Sequence, residues 1–480
     1  MNKKFFIRLL CTVFVIAMLL PAVIACGKTE EPAETNTDTQ EIITDDANTD
    51  FAPTPYTDDF GGYEFKVLTR KGGLYESNDI TADISGNVVD QAVYTRNARL
   101  EQKYNFKIVE IKSSNYVEEA QKVGGAGEAA YDMWSFAMNS MASLGQEGYL
   151  YNLNEVAGLN LDAPYYDQNT RENASFAGYL FTITGDMLTA DDISTNVTLM
   201  NKDLYEKYKL EEIYGDIYEV VLNGKWTFEK MKVYASRAAF DDDGDGVMTK
   251  NDYWAGSAQA GHLGNFYIAF GHDLLKKTSD DTLVLNDDPA LITKLQDTIE
   301  YLRGSTHYWK NDMGGDLYNY GKQLFWYCQI AHIPSVRAAG VENIVLPNAK
   351  YDEDQTDYYT FVPCYGSNCI SICSTVKNVD LVASIIELTS YESMDTVTPA
   401  LMEYLIGGRI LDNANDVQVM QLILDTRTYS YNEFWNTGAA SGLQTQLAAG
   451  STDIAHVFAA CKDEVNASVQ RKLERLQRLG

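Results

Sequence analysis

The segment Asp241-Asp-Asp-Gly-Asp-Gly-Val-Met-Thr-Lys-Asn-Asp252 carries the most specific spacing in this chain. Counted from Asp241, acids fall at positions 1, 3, 5 and 12, with Gly246 at position 6. A hard divalent cation takes six or more oxygens at about 2.4 Å, and this spacing wraps oxygens around one point. The expected ligands are Asp241, Asp243, Asp245, the carbonyl of Val247, Thr249 through water, and Asp252. The pattern is that of an EF-hand calcium loop, with Asp252 where Glu is usual. The shorter arm makes bidentate contact harder and affinity modest. The plain alternative is an acidic, glycine-containing surface turn.

Other chemistry is thin. The five histidines (262, 272, 307, 332 and 456) show no paired metal spacing. No G-x-S-x-G elbow is present. Gly124-Gly-Ala-Gly127 precedes a strand pattern and does not open a helix after one, so it reads as a loop and not a phosphate cradle. Arg471, Lys472, Arg475 and Arg478 suit the negative end of a helix dipole.

The N-terminus reads as an address. Lys3, Lys4 and Arg8 precede an apolar run from Leu9 to Ile24, then Val23-Ile-Ala-Cys26. This is a secretory signal pattern over residues 1–25, and the run is short for a membrane span. The Cys after small residues resembles a bacterial lipobox, which implies lipidation of Cys26. Residues 26–59 form an acidic, apolar-poor tether unable to bury enough surface to order itself. Of the net charge of −30, the leader carries +3 and residues 27–59 carry −9, leaving −24 on residues 60–480. So acidic a body is excluded from nucleic-acid phosphates and disfavours anionic ligands. Five cysteines remain in the body: Cys328, Cys364, Cys369, Cys373 and Cys461. They read as small buried hydrophobes, with a Cys364–Cys369 disulfide as the alternative.

The elements that must position these groups follow from periodicity. Tyr63, Phe65 and Val67 alternate with polar residues, a strand signal. Residues 87–104 place Val89, Val93, Leu100 and Tyr104 on one helical face, and 105–111 reads as the next strand. Further strands are expected at 131–136, 179–183, 196–200, 344–346 and 368–373, and helices at 138–148, 203–208, 227–240 and 288–303. From Leu381 onward the pattern is mostly helical. The class is α/β with a helical C-terminal part.

Several segments resemble the extracellular solute-binding proteins of family 1, the sugar-binding components of ABC importers. Asp90-Gln-Ala-Val-Tyr-Thr-Arg-Asn97 with Tyr104-Asn105 is similar to that family's first helix. Ala130-Tyr-Asp-Met133 and Gly178-Tyr-Leu-Phe-Thr-Ile183 followed by Leu199-Met-Asn-Lys-Asp-Leu204 resemble its second strand and first crossover. Lys225-Trp-Thr-Phe-Glu229 and Leu346-Pro with Lys350-Tyr-Asp-Glu-Asp-Gln355 resemble a lobe-two helix start and the return crossover. The resemblance implies a two-lobe periplasmic-binding-protein-like fold with hinge crossovers and a ligand cleft between lobes. Lobe one is placed at 60–190 with 346–400 returning to it. Lobe two is placed at 191–345, with the C-terminal helices of 401–480 packing mainly on it.

It further implies a monomeric, non-enzymatic carrier, lipid-anchored on the extracytoplasmic face of the cell membrane, that delivers carbohydrate to importer permease subunits. The membrane would be met through the anchor only. Some members that bind acidic oligosaccharides carry a similar cation loop, which implies a structural Ca2+. Sugars stack on aromatic rings, and Trp134, Trp326 and Trp435 are the candidates, each with packing as its alternative. Asp186, Asp191 and Asp192 lie in the first crossover, where carboxylates suit paired hydroxyls; loop solvation is the alternative.

Overall fold

The computed structural model describes residues 51–257, 262–304, 307–309, 316–407, 411, 413–451 and 453–479. The leader, Cys26 and residues 27–50 lie outside that set. In chain order the elements that frame the site begin with β1 (Tyr63–Arg70), α1 (Val88–Tyr104), β2 (Phe106–Ser113) and β3 (Met133–Ser135). The first crossover brings α2 (Ala190–Ser194) and β4 (Asn196–Asn201), and then α3 (His262–Ala269), β5 (Phe325–Gln329) and β6 (Asn343–Leu346) follow. Last come β7 (Thr360–Phe361), β8 (Ser371–Ile372), β9 (Arg427–Thr428), α4 (Tyr431–Trp435) and α5 (Ile454–Leu476). Among the described residues no helix is long and apolar enough to cross a membrane.

Local chemistry accounts for the opening β-α-β unit. Phe65 and Val67 are fully buried while Glu64 is exposed, as alternation requires. Asn87 caps α1 by accepting from the Val89 and Asp90 amides, and Asp90 accepts from the Asn87 amide in return. Asn105 closes the helix in the left-handed region, at φ 51°, and releases the chain into β2. β2 returns parallel to β1. The sheet runs β8-β3-β1-β2, with β8 antiparallel at its edge. A second sheet, β6-β4-β5, is antiparallel throughout.

Each sheet sits in its own core. The first core gathers Phe65, Leu68, Trp134, Phe181, Ile372 and Ile386. The second gathers Val197, Leu199, Trp226, Phe325, Val345 and Met420. This is the two-lobe arrangement, with the chain passing between lobes more than once. Four expectations change. Gly124, Gly125 and Ala126 form the last turn of a helix, Tyr116–Ala126, that Gly127 caps, and not a loop. Residues 179–183 make single bridges and no ladder, because the chain turns back on itself between Phe176 and Tyr179. Residues 274–299 pack into the first core, though they fall in the range expected for lobe two. The C-terminal helices divide: Leu401 to Ile423 join the second core and Tyr429 to Leu476 the first. The reason is α5, whose buried face, from Ile454 to Leu476, finds the apolar strand Leu283–Leu285; the Leu285 amide donates to Asn466 Oδ1 at 2.9 Å.

Three crossover segments meet at one buried ion cluster. α2 supplies Asp191 and Asp192, and β9 supplies Arg427. β9 lies parallel to β7, the start of the second return. Arg427 reaches Asp191 at 3.2 Å and Asp167 at 3.3 Å, and it also pairs with Asp192. Burial raises the Asp191 carboxyl well above the usual range, with the neighbouring Asp192 adding to it, and burial pushes Asp192 up to about 6. The same crossovers approach closely at Gly366, where a Cβ would stand 2.8 Å from that of Ser194. Asp191 Oδ2 and Asp192 therefore serve Arg427 as ion-pair partners, while Asp191 Oδ1 is buried without a hydrogen-bond partner. Asp186 is half-buried and accepts the Thr398 hydroxyl at 2.8 Å.

Removing Arg427 leaves the buried Asp191 and the half-buried Asp167 and Asp192 without this counter-charge. R427M should lower unfolding stability by about 3–5 kcal/mol near pH 8. A buried acid with a raised pKa binds its proton more tightly folded than unfolded, so acidification favours the folded chain. The deficit of R427M should thus shrink as pH falls from about 8 to about 5. Urea unfolding at both pH values checks this; a small, pH-independent loss would refute the cluster's role.

Candidate functional site

The cavity between the lobes follows from where β5 ends. The run Leu324-Phe-Trp-Tyr-Cys328 is apolar because both faces of β5 are covered, although β5 stands at an edge of its three-stranded sheet. β5 pairs with β4 so that Gln329 lies opposite Asn196 and Trp326 opposite Leu199. At that strand end the apolar run stops, and polar side chains face a cavity of about 280 Å³. Trp326, Tyr327, Gln329 and His332 form the lobe-two wall. Phe361, Pro363, Tyr365 and Glu433 form the opposite wall, and His262 and Asn265 reach it from α3.

The wall is ordered by its own contacts. Trp326 is 6% exposed and meets the His332 ring edge-on at 5.4 Å. Tyr327 stands edge-on to His262 at 5.5 Å. Amides are locked in a relay: Gln329 Nε2 donates to Asn196 Oδ1 at 2.8 Å and to the Tyr365 hydroxyl at 3.2 Å. Asn196 Nδ2 donates to Asn265 Oδ1 at 2.7 Å, and Gln329 Oε1 accepts the Tyr75 hydroxyl at 3.3 Å. Burial pulls the His332 pKa down, which favours a neutral imidazole. Glu433 is pushed up to about 7, by burial first and then by the nearby Asp273 carboxyl. Its Oε2 accepts the Cys364 amide at 3.0 Å. An aromatic wall with fixed donors and acceptors can hold a flat, hydroxylated solute.

Of the aromatic candidates only Trp326 reaches this cavity. Trp134 is 1% exposed, inside the first sheet, 6.2 Å from Phe136. Trp435 is fully buried, edge-on to Phe176 at 5.0 Å and Phe434 at 5.2 Å. Both rings are needed to fill the lobe-one core, and neither presents a face to solute. The residues not singled out beforehand are Glu433, Asn196, Gln329 and Tyr365. Asn196 and Gln329 carry a legible signal: a polar residue abutting a buried strand run. Glu433 is masked by local spacing, since Ser430-x-x-Glu433 reads as a self-contained helix cap. Ser430 does accept the Glu433 amide at 3.2 Å, but the carboxylate leaves for the crossover.

The acidic loop lies apart from this cavity. One oxygen each of Asp241, Asp243 and Asp252 fall within 4.8 Å of one another. Oxygens around one calcium, each at about 2.4 Å, would be no further apart than that. The Gly246 and Gly244 amides donate to Asp241 and hold its pKa down; those of Thr249 and Asp242 do the same for Asp252. Both are anionic at neutral pH, and an all-oxygen donor set suits a hard cation. Asp245 instead accepts the Val247 amide at 2.7 Å and is not in the group. Trp254 Nε1 donates to the Thr249 carbonyl at 2.8 Å, which ties the loop to lobe two. All five body cysteines are free and buried, so the Cys364–Cys369 disulfide is not formed.

No family model matches this sequence, and no curated protein matches it in sequence. The fold does have solved counterparts. An ABC substrate-binding protein of Listeria monocytogenes, solved with cycloalternan, is 13% identical at a TM-score of 0.51, covering 87% of this chain and 99% of its own. The GacH receptor of Streptomyces glaucescens, solved unliganded and with acarbose, is 15% identical at 0.52, over 85% and 99%. The maltose/maltodextrin-binding domain MalE of Bdellovibrio bacteriovorus, bound to maltotriose, is 13% identical at 0.51, over 86% and 100%. At such identities the likeness establishes the two-lobe fold.

If Trp435 is a packing residue, W435A should cost about 3–5 kcal/mol of stability. Urea unfolding measures it, and a loss under about 1 kcal/mol would show the ring is not core.

Proposed function

We propose that this chain is the substrate-binding component of an ABC importer, capturing a carbohydrate in the cavity between its lobes, and that it is not an enzyme. The observation that carries this reading is the cavity itself, with Trp326 and a hydrogen-bonded amide relay at a lobe junction. Solved counterparts across nearly their whole length are substrate-binding proteins, several holding saccharides. Lipid attachment at Cys26 would hold the body on the extracytoplasmic face, and an oligosaccharide would extend beyond a cavity of about 280 Å³. Calcium at Asp241, Asp243 and Asp252 would staple the loop that leads to Trp254, away from the ligand.

A thermal-shift screen over mono- and oligosaccharides should find a sugar that raises the melting temperature. W326A should weaken its binding by about tenfold or more, with circular dichroism unchanged. The bound sugar should be recovered intact after long incubation. No binding by any saccharide, or cleavage of a bound one, would overturn the reading. Calcium at about 100 times its Kd should add about 2.7 kcal/mol of stability. D243A, at an exposed position, should abolish that gain. A native chain indifferent to chelation would remove the calcium proposal.

A further inference from the structure

The cavity has an unbalanced charge. Among its described lining residues Glu433 is the carboxylate, and neither Lys nor Arg is present. Asp273, buried behind it, adds a second carboxyl, which the Leu274 amide meets at 2.6 Å. The other titratable groups that sense Glu433 are Tyr267, Cys364 and Tyr365, and none of them is a cation. Arg70 lies behind Tyr365 but is spent: it donates to Asn368 Oδ1 at 2.6 Å, to the Tyr365 carbonyl at 3.0 Å and to the Gly366 carbonyl at 2.9 Å. Glu433 forms no ion pair among the described residues.

The carboxylate is also displaced from its local role. A glutamate three residues after Ser430 would ordinarily close a cap on its own helix. Here it crosses to the amide of Cys364 at 3.0 Å and takes a place in the cavity wall. Holding a carboxylate half-buried with one backbone donor and no counter-ion is unfavourable, and such groups cluster where a ligand completes them. A ligand hydroxyl would supply a charge-assisted hydrogen bond. A ligand carboxylate would meet a like charge in low dielectric, and neither Lys nor Arg stands among the described lining residues to offset it.

We propose that Glu433 makes this cavity selective by charge, accepting a hydroxyl of a neutral saccharide and turning away sugars that carry a carboxylate. The inference rests on the carbohydrate reading of the cavity and narrows its substrate class to neutral sugars over uronates. Glu433 acts here as a specificity residue, while Trp326 and the amide relay supply the shared affinity.

The test uses titration calorimetry on the native chain with matched pairs: cellobiose against cellobiouronate, galactobiose against digalacturonate, and mannobiose against dimannuronate. At about pH 9, where Glu433 is ionised, the neutral member of any pair that binds should bind about tenfold or more tighter. E433Q keeps the side-chain shape and an oxygen for the Cys364 amide. It should weaken the neutral member and narrow the ratio to about threefold or less. A uronate that binds the native chain as tightly as its neutral partner overturns the proposal without any variant, and so does an unchanged ratio in a folded E433Q. Where the thermal-shift screen finds a different sugar, that sugar and its uronate form the pair to be titrated; where it finds no saccharide at all, the carbohydrate reading falls and takes this inference with it.

Discussion

One guanidinium shared among three carboxylates is the constraint on which the rest of this structure hangs. Arg427 draws Asp167, Asp191 and Asp192 to one point, where the first and last crossovers pass. Each lobe can bury its own sheet without help from the other. What neither core can do alone is fix how the connecting segments lie against each other, because α2, β7 and β9 are only two to five residues long. A charge cluster does it by direction. The buried Asp191 carboxyl has nowhere else to go, so α2 must deliver it to Arg427, and β9 must pair beside β7 for the guanidinium to arrive. Such clusters contribute little net stability when intact and cost much when broken, which makes them better at specifying an arrangement than at strengthening it.

The cavity is a product of that arrangement. β4 leaves the cluster at Asn196, and its first residue already faces the space between lobes. β7 leaves it toward Pro363 and Tyr365, on the other wall. The side chains that line the site therefore come from the residues immediately beyond the hinge. This explains why the walls hold amides and hydroxyls in a relay: strand ends leave backbone groups and side chains that need partners, and the Asn196–Gln329–Tyr365 chain provides them. The same relay is preorganised for a solute, since its donors and acceptors are already oriented.

Much of this was legible in the residues. The alternation at Tyr63–Val67, the helix over residues 87–104 and the helical C-terminus all appear as read, because each is a local signal. The acidic loop was legible in part: Asp241, Asp243 and Asp252 come together, whereas Asp245 stays outside the group. The aromatic reading could not separate Trp326 from Trp134 and Trp435. Each sits beside another aromatic or apolar residue, and only the packing of its element, a strand for Trp134 and Trp326 and a helix for Trp435, shows which ring faces a gap. Asp191 and Asp192 were read as acceptors because their partner, Arg427, lies more than two hundred residues away. Glu433 stayed hidden for the opposite reason, since a sufficient local role for it was on view.

The five buried thiols bear on how such a chain reaches its native state. Burial raises the thiols of Cys328, Cys364 and Cys373 far above their ordinary pKa, and that of Cys369 to about 12. Only the thiolate attacks oxidants or other sulfurs, and at neutral pH these sites hold almost none. Maturation then requires no oxidase and no shuffling of bridges, a process that takes seconds to hours where it is needed. An oxidising exterior would find almost no thiolate to cross-link at these four sites once folding is complete.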